Sequence, residues 1–261
     1  MTMLPTACDR APCANRGGFE RRRRTMQQTT QPAPAPQAVL QVAKPAPPVP
    51  PAEFQERGIA TMDAAALIHI LTDASSPVFE KAKACQRIGE LGAKEAVPAV
   101  SALLGDEHLS TYARYALEPI VDSSAGDALR AALTRLKGNL LVGVINSIGK
   151  RRDGKAGPVL ARMIYDADAN VARAAAAALG SIGGTPAVKD LQTALAKTSG
   201  LTRMAVADAS LVCAERFLAE GKRDQALTLY ASLSAPEIPA SVRLAAMHGI
   251  IREETSTTRP R

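Results

Sequence analysis

The sequence predicts an all-α fold, a right-handed α-solenoid of stacked helical hairpins. Three observations predict it: the composition, an internal repeat of apolar positions, and the recurrence of glycine and proline where helices end and begin. Apolar residues make up 46% of the 261-residue chain, but aromatic residues make up only 3%, and there is no Trp. The apolar side chains are therefore mostly small and aliphatic. They suit closely packed helices better than sheets, which favour aromatic and β-branched residues.

An apolar pair with a three-residue spacing recurs along the chain. Its copies are Ile88/Leu91, Leu117/Ile120, Ile145/Ile148, Leu179/Ile182 and Leu211/Ala214, and Ile250 begins a sixth copy. Because residues three apart lie on one face of a helix, each pair indicates the inward face of one helix. Repetition at roughly 30 residues is typical of helical-repeat proteins, in which neighbouring hairpins complete each other's core.

Glycine and proline indicate a second helix in several copies. A helix-ending glycine follows the apolar pair at Gly92, Gly149 and Gly183. Proline then stands near the start of the next helix at Pro98, Pro158 and Pro186. Proline is favoured in the first turn, because the N–H groups there have no partner inside the helix. We therefore predict five helix pairs within residues 59–251, together with a closing helix at 240–251.

Two segments of the fourth copy carry a family resemblance. Asn170–Gly184 resembles the first helix of a HEAT repeat of the short bacterial type, also called PBS-lyase-like, and Ala187–Leu191 resembles the second helix. The third copy departs from this pattern at Gly143 and Asn146. The resemblance covers about residues 76–251. It implies an armadillo-like solenoid of HEAT-type hairpins, a fold that serves many functions.

The composition predicts tails on both sides of this body. Residues 1–58 are basic and then Pro/Ala-rich, typical of a disordered tail or linker, and residues 252–261 are predicted to form a second disordered tail. Much of the net charge of +7 lies in these tails. A nucleic-acid groove needs clustered positive charge, so we expect no specific nucleic-acid binding by the nearly neutral body.

The sequence lacks the patterns of a catalytic, cofactor or metal site. Its four cysteines, Cys8, Cys13, Cys85 and Cys213, form no CxxC pair, and its three histidines are isolated. Phosphate-binding glycine loops and the GxSxG nucleophile motif are also absent from the sequence. We therefore expect a protein that is not an enzyme and that binds no cofactor or metal.

The sequence shows neither a membrane span nor a signal peptide. No stretch approaches the roughly 18 consecutive apolar residues of a transmembrane helix. Because no apolar segment stands near the N-terminus, the default expectation is a cytoplasmic protein. Met26 is an alternative start of the chain. If the N-terminus is misassigned, the expectation changes to an exported protein.

Two clusters are candidates for partner binding, because Tyr and Arg are common anchors of protein interfaces. The first comprises Tyr112, Arg114 and Tyr115 within one predicted helix. The two tyrosines share a face, and their alternative place is in the core. The second cluster lies in a predicted turn on one rim of the solenoid, where the alternative is a solvated loop. It comprises Lys150, Arg151, Arg152 and Lys155.

The expected function is that of a non-enzymatic scaffold that binds a partner protein or peptide on the solenoid surface. The resemblance leaves a bilin lyase-like activity or another enzyme-accessory role as an alternative. A further alternative is a spacer segment of a larger or truncated protein. The sequence leaves the partner and the oligomeric state open.

Overall fold

The computed structural model describes residues 58–257, and the regular structure within this range is entirely helical. The described α-helices are α1 (Ala64–Thr72), α2 (Val78–Leu91), α3 (Val97–Ala102), α4 (Ser110–Leu117), α5 (Ser123–Ala132), α6 (Gly138–Arg151), α7 (Gly157–Met163), α8 (Ala169–Ile182), α9 (Gly184–Lys197), α10 (Gly200–Ala219), α11 (Arg223–Ser232) and α12 (Ala240–Thr257). Short 3₁₀ turns occupy Ile59–Thr61, Lys94–Ala96, Leu103–Gly105 and Gly154–Ala156. The predicted tail residues 1–57 and 258–261 lie outside the described residues.

Local signals explain where several helices begin and end. Asp63, Asp122 and Asp168 each precede a helix, and each side chain accepts a hydrogen bond of 2.9 Å from a backbone N–H of the first turn. Such caps satisfy N–H groups that have no partner inside the helix. Gly92 ends α2 with φ of 64°, a left-handed conformation that glycine adopts without steric cost.

The helices form two layers, which confirms the predicted α-solenoid of stacked hairpins. Helices α2, α4, α6, α8, α10 and α12 pack in succession and form what we call the front layer. The second helices α3, α5, α7, α9 and α11 form the back layer, with α1 packed on α2 and α3. One hairpin therefore comprises one front and one back helix, and α12 closes the series.

The predicted apolar pairs supply much of the core between the layers. Ile88, Leu117, Ile120, Ile145, Ile148, Leu179 and Ala214 are buried, and Ile182, Leu211 and Ile250 are partly buried against them. Leu91 contradicts the prediction, because 43% of its surface is exposed. It stands in the last turn of α2, next to Gly92, where the helix ends. The buried residue three positions from Ile88 is Cys85 instead.

Small residues bring three pairs of front-layer helices into close approach. The facing pairs are Gly89 with Ala116, Gly149 with Ala178, and Gly180 with Ala209. A Cβ placed on Gly149 would lie 2.9 Å from the Cα of Ala178, closer than real Cβ atoms come. These glycines are therefore required by backbone contact between neighbouring repeats.

The closing helix is longer than predicted. We placed its end at 251, but α12 continues to Thr257. Two residues of the extension contact earlier helices: Arg252 lies 3.2 Å from Glu215, and Glu253 lies 3.7 Å from Arg223. These ion pairs hold the additional turn against α10 and α11. Among the described residues, no helix has the length and apolarity needed to cross a membrane.

Candidate partner-binding surface

Two tyrosines project from the outer face of α4. Tyr112 is 45% exposed and Tyr115 is 51% exposed, whereas Ala113 and Ala116 on the opposite face are buried. This arrangement follows from the sequence, because the small side chains face the neighbouring helices and leave the larger ones outside. We call the two exposed side chains the tyrosine face.

Arg114 occupies a different place from the tyrosines. Its guanidinium lies between α4 and α6, where Nη1 donates to the carbonyl oxygen of Gly143 at 3.2 Å and to Oγ of Ser147 at 3.4 Å. Burial lowers the pKa of Arg114, and the nearby Glu118 carboxylate opposes this shift. Arg114 therefore joins two repeats of the solenoid and is not an exposed anchor.

The first half of the basic cluster also contacts α4. Nζ of Lys150 lies 2.5 Å from Oε2 of Glu118, although the Lys150 side chain remains 68% exposed. Nη1 of Arg151 donates to the carbonyl oxygens of Leu117, Glu118 and Ile120 at 2.6–2.8 Å. These carbonyls end α4 and lack partners inside the helix, so Arg151 caps the helix from the next repeat.

The second half of the cluster lies on the turn between α6 and α7. Arg152 is exposed and ends α6 with φ of 54°. Lys155 is exposed and lines a small cavity with Arg130 of α5. Asp153 between them forms an ion pair with Arg130. The structure thus divides the four basic residues: Arg151 and Lys155 line the same small cavity, whereas Lys150 pairs with Glu118 and Arg152 ends α6.

A groove crosses the front layer beside Lys150. It spans α6, α8 and α10, and its volume is about 660 Å³. The outward residues of α8 are small, Ala174 and Ala177, whereas Val142 of α6 and Val212 of α10 stand on either side. The alanine-rich sequence of α8 therefore recesses this helix between its neighbours. We call this feature the front groove.

Several polar side chains of the front groove lack partners among residues 58–257. Asn139, Asn146 and Asn170 line it, are exposed, and make no side-chain hydrogen bond to any described residue. Arg173 of α8 and Asp208 of α10 also line it and form no ion pair within residues 58–257. The groove thus offers three free amides and one charge of each sign.

The front groove and the tyrosine face are parts of one surface. Lys150 pairs with Glu118, which raises the pKa of the lysine. Glu118 stands three residues after Tyr115 at the end of α4, so Lys150 lies close to the tyrosine face. Asn146 stands one helical turn before Lys150 and shares its face. Exposed side chains therefore continue from Tyr115 through Lys150 and Asn146 into the groove.

Sequence reasoning found the tyrosine face but missed the front groove. The signal that could have found it was the departure of the third repeat at Asn146. Asn139 stands seven residues earlier, on the same helix face. Cys85 and Cys213 are buried, and burial raises the pKa of Cys85 to about 12 and that of Cys213 to about 11. No group of metal-binding side chains occurs among the described residues.

Comparison with known proteins identifies the repeats. The family model for HEAT repeats matches residues 126–210, which extend from α5 into α10. Residues 126–210 of the chain are therefore HEAT repeats. The resemblance predicted from α8 and α9 is thereby confirmed. No curated protein sequence matches this chain.

Several solved structures resemble this chain in fold. An engineered protein matches 74% of this chain and 98% of its own, with 17% identity and a TM-score of 0.45. The complex of CpcE and CpcF of phycocyanin lyase from Nostoc sp. PCC7120 matches 85% and 94%, with 19% identity and a TM-score of 0.40. Human deoxyhypusine hydroxylase matches 74% and 96%, with 15% identity and a TM-score of 0.39.

Proposed function

We propose that this chain is a non-enzymatic scaffold that binds a partner protein or peptide along the front layer, across the tyrosine face and the front groove. The observation that supports the proposal is the continuous exposed path from Tyr115 through Lys150 and Asn146 into the groove. A stacked solenoid presents such extended surfaces, and a partner binds them through a few anchors.

The side chains on this path are suited to contact another polypeptide. An Asn amide carries both a donor and an acceptor, and the backbone amide of a peptide offers the complementary pair. Tyr112 and Tyr115 add large apolar rings with a polar hydroxyl, a combination that is enriched at interfaces. Arg173 and Asp208 balance each other in charge, so the groove favours a protein over a polyanion.

Crosslinking from the groove tests whether a partner docks there. A photo-crosslinking amino acid at Asn146 in the full chain, expressed in its own host, should yield one discrete adduct for identification by mass spectrometry. The control places the same group at Thr193, an exposed residue of α9 in the back layer. The same adduct from both positions, or no adduct from Asn146, would contradict docking at the groove.

The identified partner then permits a matched comparison of two tyrosines. Tyr115 and Tyr165 are equally exposed, at 51% and 50%, but Tyr165 follows α7 and lies outside the proposed surface. We expect Tyr115→Ala to weaken binding about tenfold and Tyr165→Ala to leave the dissociation constant unchanged. Equal effects would argue against the tyrosine face. Visible absorbance from a bound chromophore in the purified protein would favour the lyase-like alternative.

A further inference from the structure

The contact between α4 and α6 differs in chemistry from the other contacts of the front layer. Ser147, Ala178 and Ala209 follow one another at a constant spacing and face the preceding front helix. Ala178 and Ala209 each face a glycine, but Ser147 faces Glu118 and donates to its carboxylate at 2.9 Å. Side-chain hydrogen bonds thus replace close backbone packing at this place.

The side chains of this contact form a connected polar network. It consists of Arg114 and Glu118 at α4, and of Ser147, Lys150 and Arg151 in α6. We call it the polar seam. Nε of Arg114 is buried without a hydrogen-bond partner among the described residues, so the network is incompletely satisfied.

The polar seam is limited by a short helix, as is the α2–α4 interface on the other side of α4. Helix α4 has 8 residues, whereas α6 and α8 have 14 each. At 1.5 Å per residue, α4 offers about 12 Å of helix for packing, against about 21 Å in its longer neighbours. Fewer residues therefore hold the repeats together here than at the α6–α8 interface.

The back layer also lacks a close helix-to-helix contact beside the polar seam. Helix α3 packs on α5, and α7 packs on α9, but no comparable contact joins α5 to α7. Helices α9 and α11 are not in comparable contact either, but the 20-residue α10 packs closely on both. At the polar seam the back layer is held chiefly through the contact of α5 with α6.

From these contacts we propose that the solenoid bends at the polar seam, with residues 59–132 and 138–257 moving as two arms. In a solenoid each repeat contacts only its neighbours, so bending between complete hairpins concentrates at the interface with the least close packing. Helix α4 packs less closely on α6 than α2 does on α4 or α6 does on α8. The bending does not depend on the proposed function. If a partner does bind the front layer, the bend changes the separation of the tyrosine face from the front groove, because the two lie on different arms.

Distances between spin labels test the bend directly. One label pair, at Gln86 of α2 and Ala177 of α8, spans three front-layer interfaces that include the seam. The control pair, at Asn146 of α6 and Val212 of α10, spans the closely packed α6–α8 and α8–α10 interfaces and not the seam. All four positions are exposed, and the four native cysteines are replaced by alanine in the full chain. Double electron–electron resonance should give a broader distance distribution for the first pair.

The variant Glu118→Gln removes the charge at the centre of the seam while keeping the side-chain size. It should broaden the distribution of the seam-spanning pair further and leave the control pair unchanged. Equal widths for the two pairs in the parent protein, or broadening of both pairs by Glu118→Gln, would overturn the proposal.

Hydrogen exchange on the unlabelled full chain provides a second measurement that needs no cysteine replacement. Loss of the Glu118 contacts should raise the exchange rate of amides at the end of α4 and in α6 about fivefold. The control Glu220→Gln removes a carboxylate that contacts Lys222 after α10, and it should leave those amides unchanged. Unchanged exchange at the seam in Glu118→Gln would overturn the proposal.

Discussion

The α8–α10 interface and the α4–α6 interface hold equivalent places in the stack, but different forces hold them. Between α8 and α10, Gly180 lets the backbone of Ala209 approach, and Cys213 is buried beside the same glycine. Between α4 and α6, long polar side chains meet through hydrogen bonds and ion pairs. Close backbone packing is sensitive to each added atom, whereas flexible side chains can move aside. The two interfaces should therefore respond differently to the same substitution.

The largest effect is expected from Gly180→Val. A Cβ on Gly180 would lie 2.9 Å from the carbonyl oxygen and 3.0 Å from the Cα of Ala209, so α8 and α10 would have to separate. We expect the free energy of unfolding, measured by chemical denaturation, to fall by about 3 kcal/mol. Gly154→Val is the control, because no atom of a non-neighbouring residue lies within 4 Å of that position. Equal losses would show that the branched side chain itself, and not the close approach, is responsible.

Arg151→Ala should have the next largest effect, at the other interface. It removes hydrogen bonds from a charged donor to three carbonyl oxygens at the end of α4. We expect a loss of about 2 kcal/mol in the free energy of unfolding. The adjacent Lys150→Ala removes only an ion pair whose lysine is mostly exposed, so it should cost less than about 1 kcal/mol. Similar losses for the two variants would argue against helix capping by Arg151.

Alkaline pH should weaken the α8–α10 interface through Cys213. Burial raises the pKa of this thiol from 9.0 to about 11, so between these values the thiol ionises in the unfolded chain but not in the folded one. The stability contribution is complete below pH 9 and is lost as the pH rises towards 11. At about pH 10 the loss should reach about 1 kcal/mol. Denaturation of Cys213→Ala against pH should show a smaller alkaline loss than the parent, and an unchanged loss would contradict this assignment.

The sequence predicted the fold more completely than the candidate surface, for a physical reason. Helix periodicity and buried aliphatic positions are local patterns, so the hairpins could be read from pairs such as Ile145/Ile148. Arg114 and Arg151 were predicted as exposed partner contacts, but each reaches a residue about 30 positions away. Their partners depend on how neighbouring repeats align. The recess of the front groove likewise depends on the relative depth of α6, α8 and α10, which no single helix encodes.

Gly143→Ala should have the smallest effect on the free energy of unfolding. Together with Gly149→Ala, it compares the two kinds of packing within helix α6. A Cβ on Gly143 would lie 2.7 Å from Nε of Arg114, near the end of a flexible side chain that can swing away. The gain of about 1 kcal/mol in helix propensity should offset the weakened hydrogen bonds of Arg114, which leaves stability within about 0.5 kcal/mol of the parent.

Gly149→Ala, two turns further along α6, provides the matched comparison. Its new Cβ would lie 2.9 Å from the Cα of Ala178, and a backbone atom cannot move aside without displacing α8. We expect it to lose about 2 kcal/mol despite the same gain in helix propensity. If Gly143→Ala proved equally costly in chemical denaturation, Arg114 would be rigidly held. The interface between α4 and α6 would then be packed as tightly as the small-residue interfaces that follow it.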